Sequence, residues 1–175
     1  MSPPWFGISL PPRQVRYRLA MPDNRLPPWT PTQERLATIV IRLMTTLNVW
    51  VYRLTGGRLG GTFRGGAPVC LVTAIGKRSR APRTVALLYL ADGDEVVLVA
   101  SKGGMAHSPA WYHNMMATPD VEVEIGSTRR PMRARRASDG ERAALWPRLV
   151  AMYREYGDYQ ARTTRVIPVV ILSPR

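Results

Sequence analysis

"VCLVTAI" (residues 69–75), "RTVALLYLA" (83–91) and "EVVLVAS" (95–101) are three short runs rich in β-branched and aliphatic residues. Turn chemistry separates them: Gly76 to Pro82 parts the first pair, and Asp92-Gly93-Asp94 parts the second. Runs of this kind read as strands, and the Asp-Gly step as a hairpin, so the stretch predicts a meander of three antiparallel strands. Downstream, "DVEVEIG" (120–126) alternates acid with valine, and "RPMRARRAS" (130–138) sets Met132 and Ala134 against Arg133 and Arg135. Each therefore has one wet face. "IPVVIL" (167–172) closes the chain as a last strand. The sum is an α+β fold, mainly β: a barrel of about six antiparallel strands with helices plugged across it.

Upstream of the barrel, Thr30-Pro31-Thr32-Gln33 is a capping-box pattern with proline at the first helical position. Leu36, Ile39, Val40, Leu43, Met44, Leu47, Trp50, Val51 and Leu54 then repeat at the spacing of one helical face, with Arg35, Arg42 and Arg53 on the opposite stripe. Those charges exclude a membrane-spanning segment. The amphipathic helix either packs on the domain or lies on a membrane surface through residues 32–54. Gly56 and Gly57 end it. "TGGRLGGTFRGG" (55–66) follows a helix and lacks the Gly-Lys-Ser/Thr of a phosphate loop, so it reads as a flexible connector. Ser108-Pro109 opens a short helix. Ser138-Asp139-Gly140-Glu141 is a second capping box, opening a helix through Leu145, Trp146, Leu149, Met152, Tyr153 and Tyr156 that is expected to bend at Pro147. The expected organisation is a Pro-rich arm (1–30), the amphipathic helix (31–55), the connector (56–67) and the barrel domain (68–175).

The net charge is +13 over 175 residues, and only Lys77 and Lys102 are lysines. Such a balance points to an acidic partner: nucleic acid, anionic lipid or a polyanionic small molecule. The aromatic residues cluster in helices rather than alternating with arginine along strands, which argues against a single-strand nucleic-acid platform. The single cysteine, Cys70, sits within an apolar run and reads as a buried, inert thiol. His107 and His113 lack metal-ligand spacing, so no metal site is expected. The first thirty residues have no apolar signal region, and the chain is expected in the cytoplasm.

The connector "GKRSRAPR" (76–83) places Lys77, Arg78, Arg80 and Arg83 between the first two strands, and Lys102 ends the third. In a meander these lie at the same end of the sheet. Beside them, Gly103-Gly104 lets backbone approach a ligand closely, the helix after Ser108-Pro109 offers free N–H groups, and Trp111 and Tyr112 supply flat apolar surface. The cluster reads either as solvated turn charges or as a cradle for an elongated ligand with an aromatic ring and an anionic tail.

In order and spacing, "NVWVYRLTGGRLGGTF", "GKRSRAPR", "VASKGGMAHSPAWYHNM", "TPDVEVEIG" and "MYREYGDYQARTTRVIPVVIL" resemble the deazaflavin-dependent nitroreductase and quinone reductase family of actinobacteria, over roughly residues 40 to 173. The resemblance implies a split β-barrel that binds coenzyme F420, an 8-hydroxy-5-deazaflavin with a phosphate and an oligoglutamate tail. It assigns the tail and phosphate to Lys77, Arg78, Ser79, Arg83, Ser101 and Lys102. The ring is assigned to Ala86, Leu87, Leu88 and Ala100, beneath the helix bearing Trp111, Tyr112 and Asn114. Tyr153, Tyr156 and Tyr159, with Trp50, are implied to line the acceptor pocket, and Tyr156 to lie over the ring as a proton or hydrogen-bond donor. The implied reaction is hydride transfer from the reduced deazaflavin to a quinone, such as menaquinone, or a nitroaromatic; the alternative is a non-enzymatic carrier of the coenzyme on the same barrel. The chain departs from the family pattern in three places. Lys77 and Arg78 are exchanged in order, Arg80 stands where the family has glycine, and Leu88 stands where it has tyrosine. If the glycine needs positive φ, Arg80 strains or reshapes the turn.

Overall fold

A computed structural model of the protein describes residue 27 and residues 29–175. Most of the expected arm therefore lies outside the described residues. Six strands form a closed barrel in the order β1-β2-β3-β6-β5-β4, each pair antiparallel. They are β1 (Val69–Ile75), β2 (Pro82–Asp92), β3 (Glu95–Val99), β4 (Asp120–Ile125), β5 (Thr128–Arg136) and β6 (Val169–Pro174). Every strand expected from the sequence is present. Closure leaves no sheet edge exposed.

Strand alternation divides the apolar residues into an interior and an outer face. Cys70, Val72, Val96, Leu98, Val123, Met132 and Leu172 pack inside with Met115 of α2 (Ala110–Ala117), which closes the barrel mouth. Burial pushes the Cys70 thiol up to about 12, so it stays protonated and inert, as expected. On the outside, Val97, Val99, Val169 and Ile171 pack against Leu145 and Leu149 of α3 (Asp139–Met152) and Tyr156 of α4 (Glu155–Arg162). Val69 and Leu71 pack beneath Tyr52 of α1 (Pro31–Thr55).

Both predicted capping boxes form, Thr30 with Gln33 and Ser138 with Glu141. One helix expectation is corrected. The late helix does not run on through Tyr153 and Tyr156: Pro147 lies inside α3, and the chain breaks at Tyr153, where φ −147 ends α3 two residues before α4 starts. Pro147 and the neighbouring Ala143, whose carbonyl loses its donor, are both exposed, so water can satisfy that oxygen. The structure also shows which side of α1 docks. Leu36, Ile39, Leu43, Met44, Leu47, Trp50 and Leu54 are all exposed, while Tyr52 is buried and Glu34, Ala37, Thr38, Thr45 and Asn48 are half-buried. The helix meets the barrel through its small and polar stripe.

Residues 56–67, read from sequence as a flexible connector, fold into turns. Val69 donates its N–H to Gly61 O at 2.9 Å, Phe63 donates to Ala67 O at 2.8 Å, and Thr62 bridges Pro68. Gly61 leaves no room for a side chain, since a Cβ there would overlap the Gly57 carbonyl oxygen.

Candidate functional site

The turn joining β1 to β2 is built from its own hydrogen bonds. Arg80 N–H donates to Gly76 O at 2.8 Å and Gly76 N–H to Ala81 O at 2.9 Å. A Cβ on Gly76 would crowd Ser79 Oγ, so a side chain there would push the serine hydroxyl aside. Arg80 takes φ 55, so the turn keeps a left-handed residue and an arginine occupies it. Lys77, Arg78, Ser79 and Arg83 are all exposed around this turn. Asn114 of α2 accepts the Lys77 N–H through Oδ1 at 3.0 Å, fixing the turn to the helix that closes the barrel.

A second cationic turn follows β3. Ser101 is right-handed (φ −73, ψ −44), and then Lys102, Gly103 and Gly104 are left-handed, with φ 47, 65 and 76. A right-handed residue followed by a left-handed one turns successive amides toward one concavity, an arrangement that suits anions. The N–H groups of Lys102 and Gly103 form no hydrogen bond among the described residues. Lys102 thus brings its ammonium and two free amides to one turn.

The carbonyl side of the same loop is held by Arg165, which sequence reading missed. Its Nη2 donates to Ser101 O at 2.8 Å and Ala100 O at 3.2 Å, its Nε to Met105 O at 2.9 Å, and its Nη1 to Ser108 Oγ at 3.4 Å. Desolvation lowers the Arg165 pKa, the signature of a guanidinium taken partly out of water to do this. Ser108 therefore receives a bond from Arg165 rather than capping α2, whose N-cap is Pro109 without a side-chain cap. Gln160 of α4 accepts from Ile167 N–H and from Arg142 Nη2, both at 3.0 Å, and donates to Arg165 O at 2.9 Å. The bond to Arg165 ties α4 to the cradle.

Between α1 and α4 lies the outer face of β2. No residue of β2 is fully buried, although both neighbouring strands are largely buried. Leu88 packs half-buried against the Tyr52 cluster and also against the Tyr153, Tyr156 and Tyr159 cluster, so it forms the floor between the two helices; Ala86 lies beside it on the α1 side. Leu87 instead packs with the barrel interior, and Ala100 is fully buried, so both would meet a ligand on the outer face only through backbone. Trp111 and Tyr112 stand edge-to-face, 6.4 Å apart, half-buried on the interior core at the mouth. Tyr89, next to the substituted Leu88, also packs toward the interior and lines a cavity at the far mouth with Asp94, Glu95 and Arg130, so it does not replace the missing tyrosine.

The three tyrosines assemble. Tyr153 and Tyr156 have ring centroids 5.1 Å apart, Tyr156 and Tyr159 6.4 Å, and the hydroxyls of Tyr153 and Tyr159 lie 3.4 Å apart. Phe63 from the glycine-rich turns closes on Tyr153 at 6.1 Å. Burial raises the Tyr156 and Tyr153 pKa values well above the usual phenol range, with Tyr159 adding to the Tyr153 shift through its hydrogen bond. Tyr156 is 4% exposed, and its hydroxyl makes no hydrogen bond among the described residues. Trp50 stands apart from this cluster on the exposed stripe of α1.

The sequence profile of the F420H(2)-dependent quinone reductase family matches residues 44–174. The chain belongs to this family. An F420H(2)-dependent quinone reductase of Mycobacterium tuberculosis is 42% identical over 128 residues, covering 71% of this chain and 86% of the relative. A second protein of that organism carrying the same family name is 45% identical over 118 residues, 67% of this chain and 99% of its own. Among solved structures, an F420-H2 dependent reductase is 37% identical with a TM-score of 0.57, covering 61% of this chain and 94% of that one. Another, described as a domain-swapped dimer, is 34% identical with a TM-score of 0.59, covering 71% and 98%. This F420H(2)-dependent reductase has coenzyme F420 as its cofactor.

Proposed function

We propose that the protein transfers a hydride from reduced coenzyme F420 to a quinone, menaquinone among them, or to a nitroaromatic acceptor. The observation that supports this best is the uncovered outer face of β2, with a cationic turn at each side of its upper end and three tyrosines along its flank. When bound, F420 supplies the hydride donor, and deazaflavins deliver hydride rather than single electrons. Lys77, Arg78, Ser79 and Arg83 from one turn and Ser101 and Lys102 from the other hold the phosphate and glutamate tail. Ala86 keeps the cleft floor low enough for a flat ring. Trp111, Tyr112 and Asn114 support it from α2, and Tyr153, Tyr156 and Tyr159 wall the acceptor from water, while Trp50, on the outward stripe of α1, takes no part in that wall. The raised Tyr156 pKa keeps its proton in place throughout the working pH range, so its role is to donate a hydrogen bond to the oxygen that gains charge.

The test is anaerobic turnover: reduced F420 with menadione, a long-chain menaquinone and a nitroaromatic, followed by the return of deazaflavin absorbance. Turnover with a quinone supports the reading. Tight F420 binding with no turnover of any acceptor would instead make the protein a coenzyme carrier.

The exposed apolar stripe of α1, on a chain of net charge +13, favours peripheral contact of residues 32–54 with an anionic membrane surface, where lipid quinones reside. No helix among the described residues is long and apolar enough to cross a membrane. Leu43→Ser with Leu47→Ser should reduce sedimentation with anionic vesicles and slow turnover of long-chain quinone more than of menadione. Equal sedimentation of variant and parent would exclude the contact.

A further inference from the structure

Two side chains outside both cationic turns converge on a single carbonyl of the second. Trp29, directly before the N-cap of α1, donates Nε1–H to Gly103 O at 2.9 Å. Arg162, at the end of α4, approaches the same oxygen through Nη1 at 3.5 Å and lays its guanidinium over the Trp29 ring, 4.9 Å from the centroid. Gly103 runs against the ring edge, where a Cβ would lie 3.8 Å from Trp29 Cζ2. Five residues into the chain from Trp29, Glu34 Oε1 accepts the Ala106 N–H at 2.9 Å. The N-terminal end of α1 is thus fastened to the Lys102–Gly104 turn. Its other end is held separately, by Gly126 N–H donating to Tyr52 Oη at 2.7 Å and by Arg53 paired with Glu124 at 3.2 Å.

We propose that Trp29 and Arg162 form a positioning clamp that sets the Lys102–Gly104 turn for the coenzyme's anionic group and couples coenzyme binding to the docking of α1. The proposal rests on the reading above that this turn holds the coenzyme.

Three consecutive left-handed residues, one of them a lysine, are an unfavourable backbone state that needs outside support. Here the support comes from both sides. Arg165 takes the carbonyls of Ala100, Ser101 and Met105, the Met105 N–H takes that of Lys102, and the clamp takes that of Gly103. With these oxygens engaged, the free amides of Lys102 and Gly103 keep a fixed direction. Arg162 has no carboxylate partner among the described residues, and its Nε is buried without a hydrogen bond. A buried donor left unpaired is disfavoured, so the stack on Trp29 and the Gly103 carbonyl are what hold the guanidinium in place. A helix whose apolar stripe faces outward has little else to secure this end. Because the clamp joins turn and helix, whatever factor docking of α1 adds to coenzyme affinity, the coenzyme adds to docking of α1.

The experiment uses the full chain and two readouts: titration with oxidised F420, and hydrogen exchange of the α1 amides between residues 34 and 45 with and without coenzyme. In the parent protein, F420 should slow exchange across that segment. Trp29→Ala should raise the F420 Kd about tenfold, the scale of a lost hydrogen bond and stack together, and should abolish the coenzyme-dependent slowing. Trp29→Phe keeps the ring over Arg162 and removes only the donor, so it should fall between. In turnover the defect should appear in KM for reduced F420 rather than in kcat. An unchanged Kd in both Trp29 variants, or weakened binding with exchange in α1 indifferent to coenzyme in the parent protein, would overturn the clamp. Lys102→Ala separates the two levels of the argument. If it leaves F420 affinity intact, the turn does not hold the coenzyme and the site reading itself fails, while the exchange of α1 in coenzyme-free Trp29→Ala still reports whether Trp29 docks the helix.

Discussion

Replacing Arg165 by methionine removes four hydrogen bonds from the loop that follows β3 while keeping an unbranched apolar stem of similar reach. Ser101 O retains the Gly104 N–H at 3.0 Å, and Ser108 can turn to water, so the oxygens left without partners are those of Ala100 and Met105. An orphaned buried acceptor costs about 1–3 kcal/mol; with two of them, and with Arg165 only half-buried so that water reaches part of the gap, the expected loss is about 2–3 kcal/mol. For a domain of this size that lowers Tm by roughly 5–10 °C. Arg165→Lys restores the charge but offers one donor centre where the guanidinium spreads its donors over three nitrogens, so it should recover less than half of the loss. The turn that carries Lys102 loosens in both variants, and F420 Kd should rise about tenfold for methionine and less for lysine. Thermal unfolding followed by near-UV circular dichroism and fluorescence titration with F420 measure the two effects on the same samples. If Arg165→Met kept the Tm and F420 affinity of the parent, the guanidinium would not be what shapes the cradle.

Tyr156→Phe keeps the buried ring and removes the hydroxyl, so F420 affinity should hold while turnover falls by about one to two powers of ten, measured as kcat at saturating coenzyme; full activity would move the donor role to Tyr153 or Tyr159, or to solvent. Lys77→Ala and Arg78→Ala should each raise F420 Kd, with the deficit shrinking as salt is added, because both side chains are exposed and the role we propose for them is toward an anionic tail; a salt-independent deficit would contradict that role. Glu141 is held down to about 2 by its hydrogen bonds to Arg135 and then Ser138. A depressed carboxyl pKa adds stability above the unfolded value and loses it as pH falls through the folded one, so Tm should decline between about pH 4.3 and pH 2, and Glu141→Gln should flatten that part of the profile.

The parts of this fold that were legible in the sequence are those written in local patterns. The strands appear because Val121, Val123, Met132 and Ala134 alternate with charged neighbours, and that alternation also fixes which side faces the barrel. The capping boxes at Thr30 and Ser138 specify their helix starts for the same reason, since donor and acceptor are three residues apart. The left-handed turn at Arg80 follows from one position and one dihedral. What stayed hidden is written in pairings. Periodicity reveals the apolar stripe of α1 but not the partner of either stripe; here Tyr52, Asn48 and Glu34 choose the barrel, and the three- and four-residue spacing of the leucines and isoleucines carries no record of that choice. Arg165 meets Ala100 and Met105, and Trp29 meets Gly103, at sequence separations of 60 or more with no spacing rule to announce them. In an arginine-rich chain a single arginine gives no signal of its own. The surface we propose for the coenzyme is displayed by exposed lysines and arginines on turns, which sequence can read; the shape of the loop after β3 is kept by half-buried donors aimed at backbone carbonyls, and these become visible only when the chain is folded.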